Sequence, residues 1–198
     1  MPRMFLPGIH ELVASTVPVG KYTKNGEYSR NVVLEEWRYA KNIETGEYEK
    51  VELVSSIEIK DLPENVFVFS ADAFPQPQAL FNDVREVRKR ADFILIAKAP
   101  DKQRIVFIEM KRTKDSEHGI VAQLRGAACI MDYCNSILKY FWGDSAVVSD
   151  YVPRFVSCSH NSAKRGTRAD RTAPIHDIPD RLLKLCGKSF TYQQLIRN

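Results

Sequence analysis

The 198-residue chain contains no apolar run approaching the roughly 20 residues that cross a bilayer, so no membrane span is expected. Its opening, Met1-Pro2-Arg3-Met4-Phe5-Leu6-Pro7, lacks the long apolar stretch of a secretory leader, and a cytoplasmic protein is the expectation. Cysteine is scarce. Cys129 and Cys134 lie close together, Cys158 and Cys186 stand alone, and no C-x-x-C pair occurs. That spacing argues against a zinc site and for four reduced, packed or inert thiols. No G-x-S-x-G or G-x-G-x-x-G is present. Gly187-Lys188-Ser189 lacks the earlier glycine of a phosphate-binding loop, because Leu182 holds that place. No internal repeat, low-complexity tract or dividing linker is visible. Charge of one sign is also lacking: 29 Lys and Arg against 25 Asp and Glu leave +4, which permits a nucleic-acid partner without demanding one.

What is present is an ordinary globular composition, 44% hydrophobic and 27% charged, in a chain long enough to bury a core without staples. The first third is β-rich. Residues 31–40 and 48–59 carry apolar and β-branched residues on either side of a glycine-containing turn at 42–47, which predicts a hairpin. Residues 66–69 form another short strand candidate, and Pro75 and Pro77 act as a breaker beyond it. Leu80, Phe81, Val84 and Val87 fall at helical spacing, predicting a short helix over 79–89. Strands are expected over 91–97, 104–110 and 151–158, and a long helix over 119–141 with an apolar stripe from Ile120 to Phe141. The fold class is therefore α/β: a mixed central sheet flanked by helices. The expected organisation is a β-rich N-terminal region, 1–78, packed on a core of 79–198.

The chemistry concentrates between Asp92 and Lys111. Glu109 and Lys111 are two residues apart on one strand, so both project from the same face. With Pro100 and Asp101 as the central turn residues, Asp92 falls opposite Glu109, with Cβ atoms about 4.5–5.5 Å apart. Two carboxylates that close repel unless a cation or a proton intervenes. Oxygen ligands of this kind suit a hard divalent ion, Mg²⁺ or Mn²⁺. Lys111 is then placed to orient a water or to stabilise charge on a phosphate oxygen. That is the minimum equipment for metal-assisted phosphodiester hydrolysis.

Ala91-Asp92-Phe93-Ile94-Leu95-Ile96 and then Val106-Phe107-Ile108-Glu109-Met110-Lys111 resemble the PD-(D/E)XK, or restriction-endonuclease-like, nuclease superfamily. The signature is an Asp, a gap, then Asp/Glu-x-Lys on the next strand. The resemblance covers roughly residues 79–141. Ala91 stands where the family name has proline, and Ala127 where one subgroup has tyrosine after Gln123. The resemblance implies a nuclease in which Asp92 and Glu109 bind the metal and Lys111 is the catalytic lysine. It implies a supporting role for Gln123 on the next helix, and it offers Glu86, with Asp83 as rival, as an additional acid at the metal. It further implies a nucleic-acid partner, DNA favoured over RNA, and leaves a homodimer open. The same fold used as a non-cutting binding module is the alternative.

Basic residues cluster at Arg85, Arg88, Lys89 and Arg90, at Lys111, Arg112 and Lys114, and at Lys164, Arg165, Arg168 and Arg171. Any of these can hold a phosphate backbone near the carboxylates, or face solvent only. His118, in the segment entering the long helix, is read as a helix-start residue, with phosphate contact as the rival role. His10, His160 and His176 have no partner at a telling spacing.

Overall fold

The computed structural model describes residues 6–24, 27–43, 45–74, 82, 84–100, 102–111, 116–144, 148–159 and 175–197. Asp83, Arg112, Lys114 and the basic group at 164–171 lie outside the described residues. Among the described residues the chain order is α1 (Pro7–Leu12), β1 (Val19–Lys24), β2 (Glu27–Lys41), β3 (Tyr48–Lys60), β4 (Asn65–Ser70), β5 (Phe93–Ala99), β6 (Lys102–Lys111), α2 (Glu117–Trp142), β7 (Val152–Ser159), β8 (Leu183–Cys186), β9 (Ser189–Thr191) and α3 (Tyr192–Ile196).

These elements build a mixed α/β structure from two sheets. One has the order β1-β2-β3-β9 and the other β4-β5-β6-β7-β8. In the second, β4, β5 and β6 run antiparallel while β6, β7 and β8 run parallel. The parallel step from β6 to β7 requires a crossover, and α2 supplies it. The two sheets exchange strands across residue 78. β4 joins the later sheet beside β5, and β9 returns to pair with β3.

Burial reflects that layering. Val32, Leu34, Ile57 and Ile59 of the first sheet pack against Val68, Leu95, Val106, Ile108 and Val156 of the second. The opposite face of the second sheet, with Phe69, Ile94, Ile96, Ile105 and Phe107, packs on Ile120, Leu124, Ala127, Met131, Cys134 and Leu138 of α2. The central strands are thus covered on both sides, which is why β5 and β6 read as continuous apolar runs rather than alternating ones. Strand β3 alternates only in its second half. Its first six residues, Tyr48 to Leu53, are exposed, because the β2–β3 ribbon runs on beyond the body of the molecule.

The hairpin, the strands and the long helix lie where the sequence places them. Helix α2 is capped by Ser116, whose hydroxyl accepts from the Gly119 amide at 3.1 Å. Phe141, assigned to the buried stripe, is instead 79% exposed at the last turn. The short helix expected over 79–89 is not formed in its described part. Residues 84–88 are turns, and Arg85 and Glu86 both adopt positive φ, 53° and 59°. Tertiary ties override the local periodicity there. Arg90 donates to the Phe74 carbonyl, and the Lys89 carbonyl presses on α2 at Gly126.

Candidate active site

Only residues 100 and 101 separate β5 from β6, and the paired positions run from Ala99↔Lys102 to Phe93↔Ile108. Carrying that register one step further sets Asp92 against Glu109. Asp92 sits just before β5, and its Oδ2 accepts from the backbone amide of Met110 at 2.6 Å. The carboxylate therefore closes the end of the ladder, satisfying an amide of β6 that β5 is too short to reach.

Glu109 is 1% exposed. Lys111 donates from Nζ to its Oε1 at 2.6 Å, whereas its Oε2 has no hydrogen-bond partner among the described residues. A buried carboxylate oxygen left without a donor is costly, and it marks a place where a cation or a proton belongs. On the neighbouring strand, Ser157 pairs with Glu109 and is also buried.

The electrostatics agree. Loss of water raises the Asp92 carboxyl to about 7, with further increments from Glu36 and Asp72; the Met110 amide and the Lys111 ammonium oppose the rise. Glu109 is pushed well above the usual carboxylate range, again first by burial and then by Asp92, with Lys111 opposing. Glu36 is raised by burial and by Asp72, against Lys111. The group is short of positive charge: Glu36 and Asp72 raise Asp92, Asp92 and Glu36 raise Glu109, and Lys111 is the cation that opposes the rise at each of Asp92, Glu109 and Glu36.

Glu36 and Asp72 carry no motif, and sequence reasoning missed them. Glu36 had a signal. It continues the inward series Val32, Leu34 on β2, so a charge sits where the alternation calls for an apolar residue. Strand β2 then changes register between Glu36 and Trp37, a bulge of the kind that redirects a side chain. Asp72 comes after Ser70-Ala71 at the end of β4, and nothing in the sequence distinguishes it.

The other residues singled out by sequence stand differently. Gln123 is half-buried on α2, between buried Ala122 and Leu124, on the layer that covers the Ile105 and Phe107 face of β6. Glu86 pairs with Lys89 at 2.5 Å and with His118 at 3.4 Å, where the 84–88 turn meets the start of α2. From elsewhere in the chain, Glu36 raises both Asp92 and Glu109, and Asp72 raises Asp92. His118 is in the first turn of α2 and its side chain is 81% exposed. His10 packs on Phe67 with the rings tilted by 54°, and buried His176 joins its Nε2 to the Leu195 carbonyl. All four cysteines are free thiols; burial raises those of Cys134 and Cys158.

Asp92, Glu109 and Lys111 thus come together, and the residues fit a hard divalent cation. Two carboxylates supply oxygen donors, one oxygen is buried without a partner among the described residues, and both groups resist ionising without added positive charge. Among the described residues no three His, Cys, Asp or Glu side chains form a ready-made metal cluster. A Mg²⁺ ion held by one or two carboxylates, water and substrate oxygens needs none. No helix among the described residues is long and apolar enough to cross a membrane. Comparison with protein families, with curated proteins and with solved structures finds no match.

Proposed function

We propose that this chain is a metal-dependent nuclease that hydrolyses phosphodiester bonds of nucleic acid, in keeping with its resemblance to the PD-(D/E)XK superfamily. The observation that carries the reading is the buried Glu109 carboxylate, bonded to Lys111 through one oxygen and, among the described residues, without a partner on the other, beside Asp92. Asp92 and Glu109 would hold Mg²⁺ or Mn²⁺. When bound, such an ion polarises a phosphoryl oxygen and makes water a better nucleophile.

The chain's own residues set the rest. The Met110 amide fixes the Asp92 carboxylate, so one ligand is oriented before substrate arrives. Lys111 is held on Glu109 at the mouth of the site, its side chain 19% exposed, and can reach an arriving phosphate. There its ammonium stabilises charge that grows on the phosphorus oxygens and orients the attacking water. Glu36 and Asp72 add negative field, which favours a cation at this end of the sheet. DNA is the favoured substrate, a cytoplasmic setting goes with the four free thiols, and Gln123 would support the site from α2.

The test is cleavage of single- and double-stranded DNA and RNA with Mn²⁺, alongside Asp92→Ala and Lys111→Ala. Cutting by the parent chain that falls at least about a hundredfold in each variant, the scale of one lost transition-state stabiliser, is the expected result. Undiminished cutting in either variant would remove the assigned site. Absence of cutting and of any metal-induced rise in Tm would move the weight to a non-enzymatic module.

A further inference from the structure

At the other end of β2 the chain builds a second polar site. The inward face of the β1–β2 hairpin carries the pair Val19↔Val32, and Val32 is buried in the core. Two residues on, the next pair on the same face is Lys21↔Arg30, and the next position on β2 is Tyr28, opposite Thr23. The hairpin therefore overhangs the body, and its inward face changes from apolar to cationic and aromatic. A cavity of about 440 Å³ is lined by Lys21, Tyr28, Ser29 and Arg30.

The segment after β3 forms a wall beside it. Leu62 donates its amide to the Arg30 carbonyl at 3.1 Å, and the Ser29 hydroxyl donates to Asp61 at 3.2 Å. Arg30 also meets Glu64, but at 3.8 Å, and the Glu64 side chain is 86% exposed. An exposed pair at that distance contributes little and yields readily to another anion.

Two features point to one ligand chemistry. Lys21 and Arg30 are like charges set directly across an antiparallel ladder, an arrangement that costs stability on its own. An anion between them would reverse that cost. Tyr28, 86% exposed, presents an open ring beside them. A cation pair next to an open aromatic face matches a phosphate joined to an unpaired base, the repeating unit of a single strand.

We propose that Lys21, Tyr28 and Arg30 form a single-strand nucleic-acid subsite, with phosphate on the two cations and a base stacked on Tyr28. This rests on the nuclease reading only for its biological sense, because binding is measurable without cleavage. The subsite is remote from the carboxylates. Arg30 and Glu36 are six residues apart on β2, about 20 Å at 3.3 Å per residue, with buried Val32 and Leu34 between them. A bound strand must therefore pass around the core to reach both.

The experiment is fluorescence anisotropy of a labelled single-stranded oligonucleotide in EDTA, at several salt concentrations. Tyr28→Ala should weaken binding about fivefold or more, the smaller end of what one base–aromatic stack contributes. It should weaken binding of a blunt duplex less. Lys21→Gln and Arg30→Gln should each lower the salt slope by nearly one. All three side chains lie outside the core, so Tm should be unchanged or, for the two cation removals, slightly higher. Parent-like affinity and salt slope in all three variants, or no binding by the parent, would overturn the subsite. Cleavage with unaltered binding in these variants would sink the subsite and spare the nuclease. Binding that Tyr28→Ala weakens, without any cleavage by the parent, would do the reverse.

Discussion

Two ion pairs of nearly equal length sit on two antiparallel hairpins of this molecule. Lys111 meets Glu109 at 2.6 Å on the β5–β6 hairpin, and Arg38 meets Glu52 at 2.8 Å on the outer part of the β2–β3 ribbon. Their surroundings differ. The Glu109 side chain is 1% exposed and that of Lys111 19%, against 44% for Glu52 and 62% for Arg38. In the buried pair the carboxylate has given up water, and its second oxygen has gained no partner among the described residues. In the exposed pair both groups keep their hydration, and the contact is one among several they can make. Distance alone therefore says little about what a charge contributes; the medium decides whether it perturbs its neighbours or is screened by solvent.

Removing the cation from each pair is the most direct way to break the comparison. Lys111→Met leaves Glu109 buried beside Asp92 without the ammonium that opposes it. Loss of one partner of a buried pair costs about 3–5 kcal/mol, which at roughly 2–4 °C per kcal/mol is a fall in Tm of more than about 6 °C at pH 8. At pH 5 the loss should be smaller, because Glu109 takes up a proton more readily there. A Tm within about 1 °C of the parent at pH 8, by thermal denaturation of the metal-free chain, would show that Glu109 keeps access to water or holds a proton even there, and that Lys111 does not offset a buried charge.

The buried hairpin also depends on how its approach is held. The Lys89 carbonyl lies three residues before Asp92, and a Cβ placed on Gly126 of α2 would come within 1.7 Å of its oxygen and 2.8 Å of its carbon. These are backbone atoms and cannot swing aside. Gly→Ala inside a helix ordinarily stabilises by about 0.5–1 kcal/mol. Here the sign should reverse, with Gly126→Ala costing about 2–3 kcal/mol by overpacking and disturbing the Asp92 end of β5. A raised Tm in this variant would refute the close approach of α2 to residues 89–90.

A third test uses protons. Asp92 ionises at about 7 in the folded chain against 3.8 ordinarily, and Glu109 is raised in the same direction. Between those values the folded chain holds protons that the unfolded chain has released. The unfolded state binds fewer protons, so stability falls as pH rises through that window. The metal-free protein should melt about 4 °C or more lower at pH 8 than at pH 5, the scale of one to two kcal/mol of lost proton linkage. Asp92→Asn should flatten the curve, and Mn²⁺ should restore Tm at pH 8 by replacing the protons. A Tm that rises from pH 5 to pH 8 in the parent, with no change in Asp92→Asn, would show that neither carboxyl is raised.

The contrast between buried and exposed hairpins also explains what the sequence revealed. The β5–β6 hairpin was legible because each signal there is local: two unbroken apolar runs, a proline turn of two residues, and charges at the strand ends. Its register came with them, and so did the meeting of Asp92 with Glu109. Glu36 and Asp72 were not legible as site residues, since they arrive from β2 and from the end of β4, distant in the chain; packing of the two sheets brings Glu36 to Asp92, and the pairing of β4 with β5 brings Asp72. The exchange of β4 and β9 between sheets was equally hidden. β9 is three residues long and pairs in parallel with β3, leaving no periodicity to read. The helix expected over 79–89 does not form in its described part for a similar reason: its spacing was helical, but the contacts of Lys89 and Arg90 with distant backbone hold a turn instead.

The smallest expected effect belongs to the ribbon. Trp37 and Lys50 stack there with the ammonium 4.9 Å from the ring centroid, and Arg38 bonds Glu52 alongside. Removing Arg38 frees Glu52 to water it already touches, so the lost attraction is largely returned as hydration and side-chain freedom. Arg38→Met should change stability by no more than about 0.5 kcal/mol, or roughly 1–2 °C in Tm, with no dependence on pH between 5 and 8. Should Arg38→Met match Lys111→Met in cost, the ribbon would have to be buried in solution, and the contrast between a screened and an unscreened pair would no longer hold.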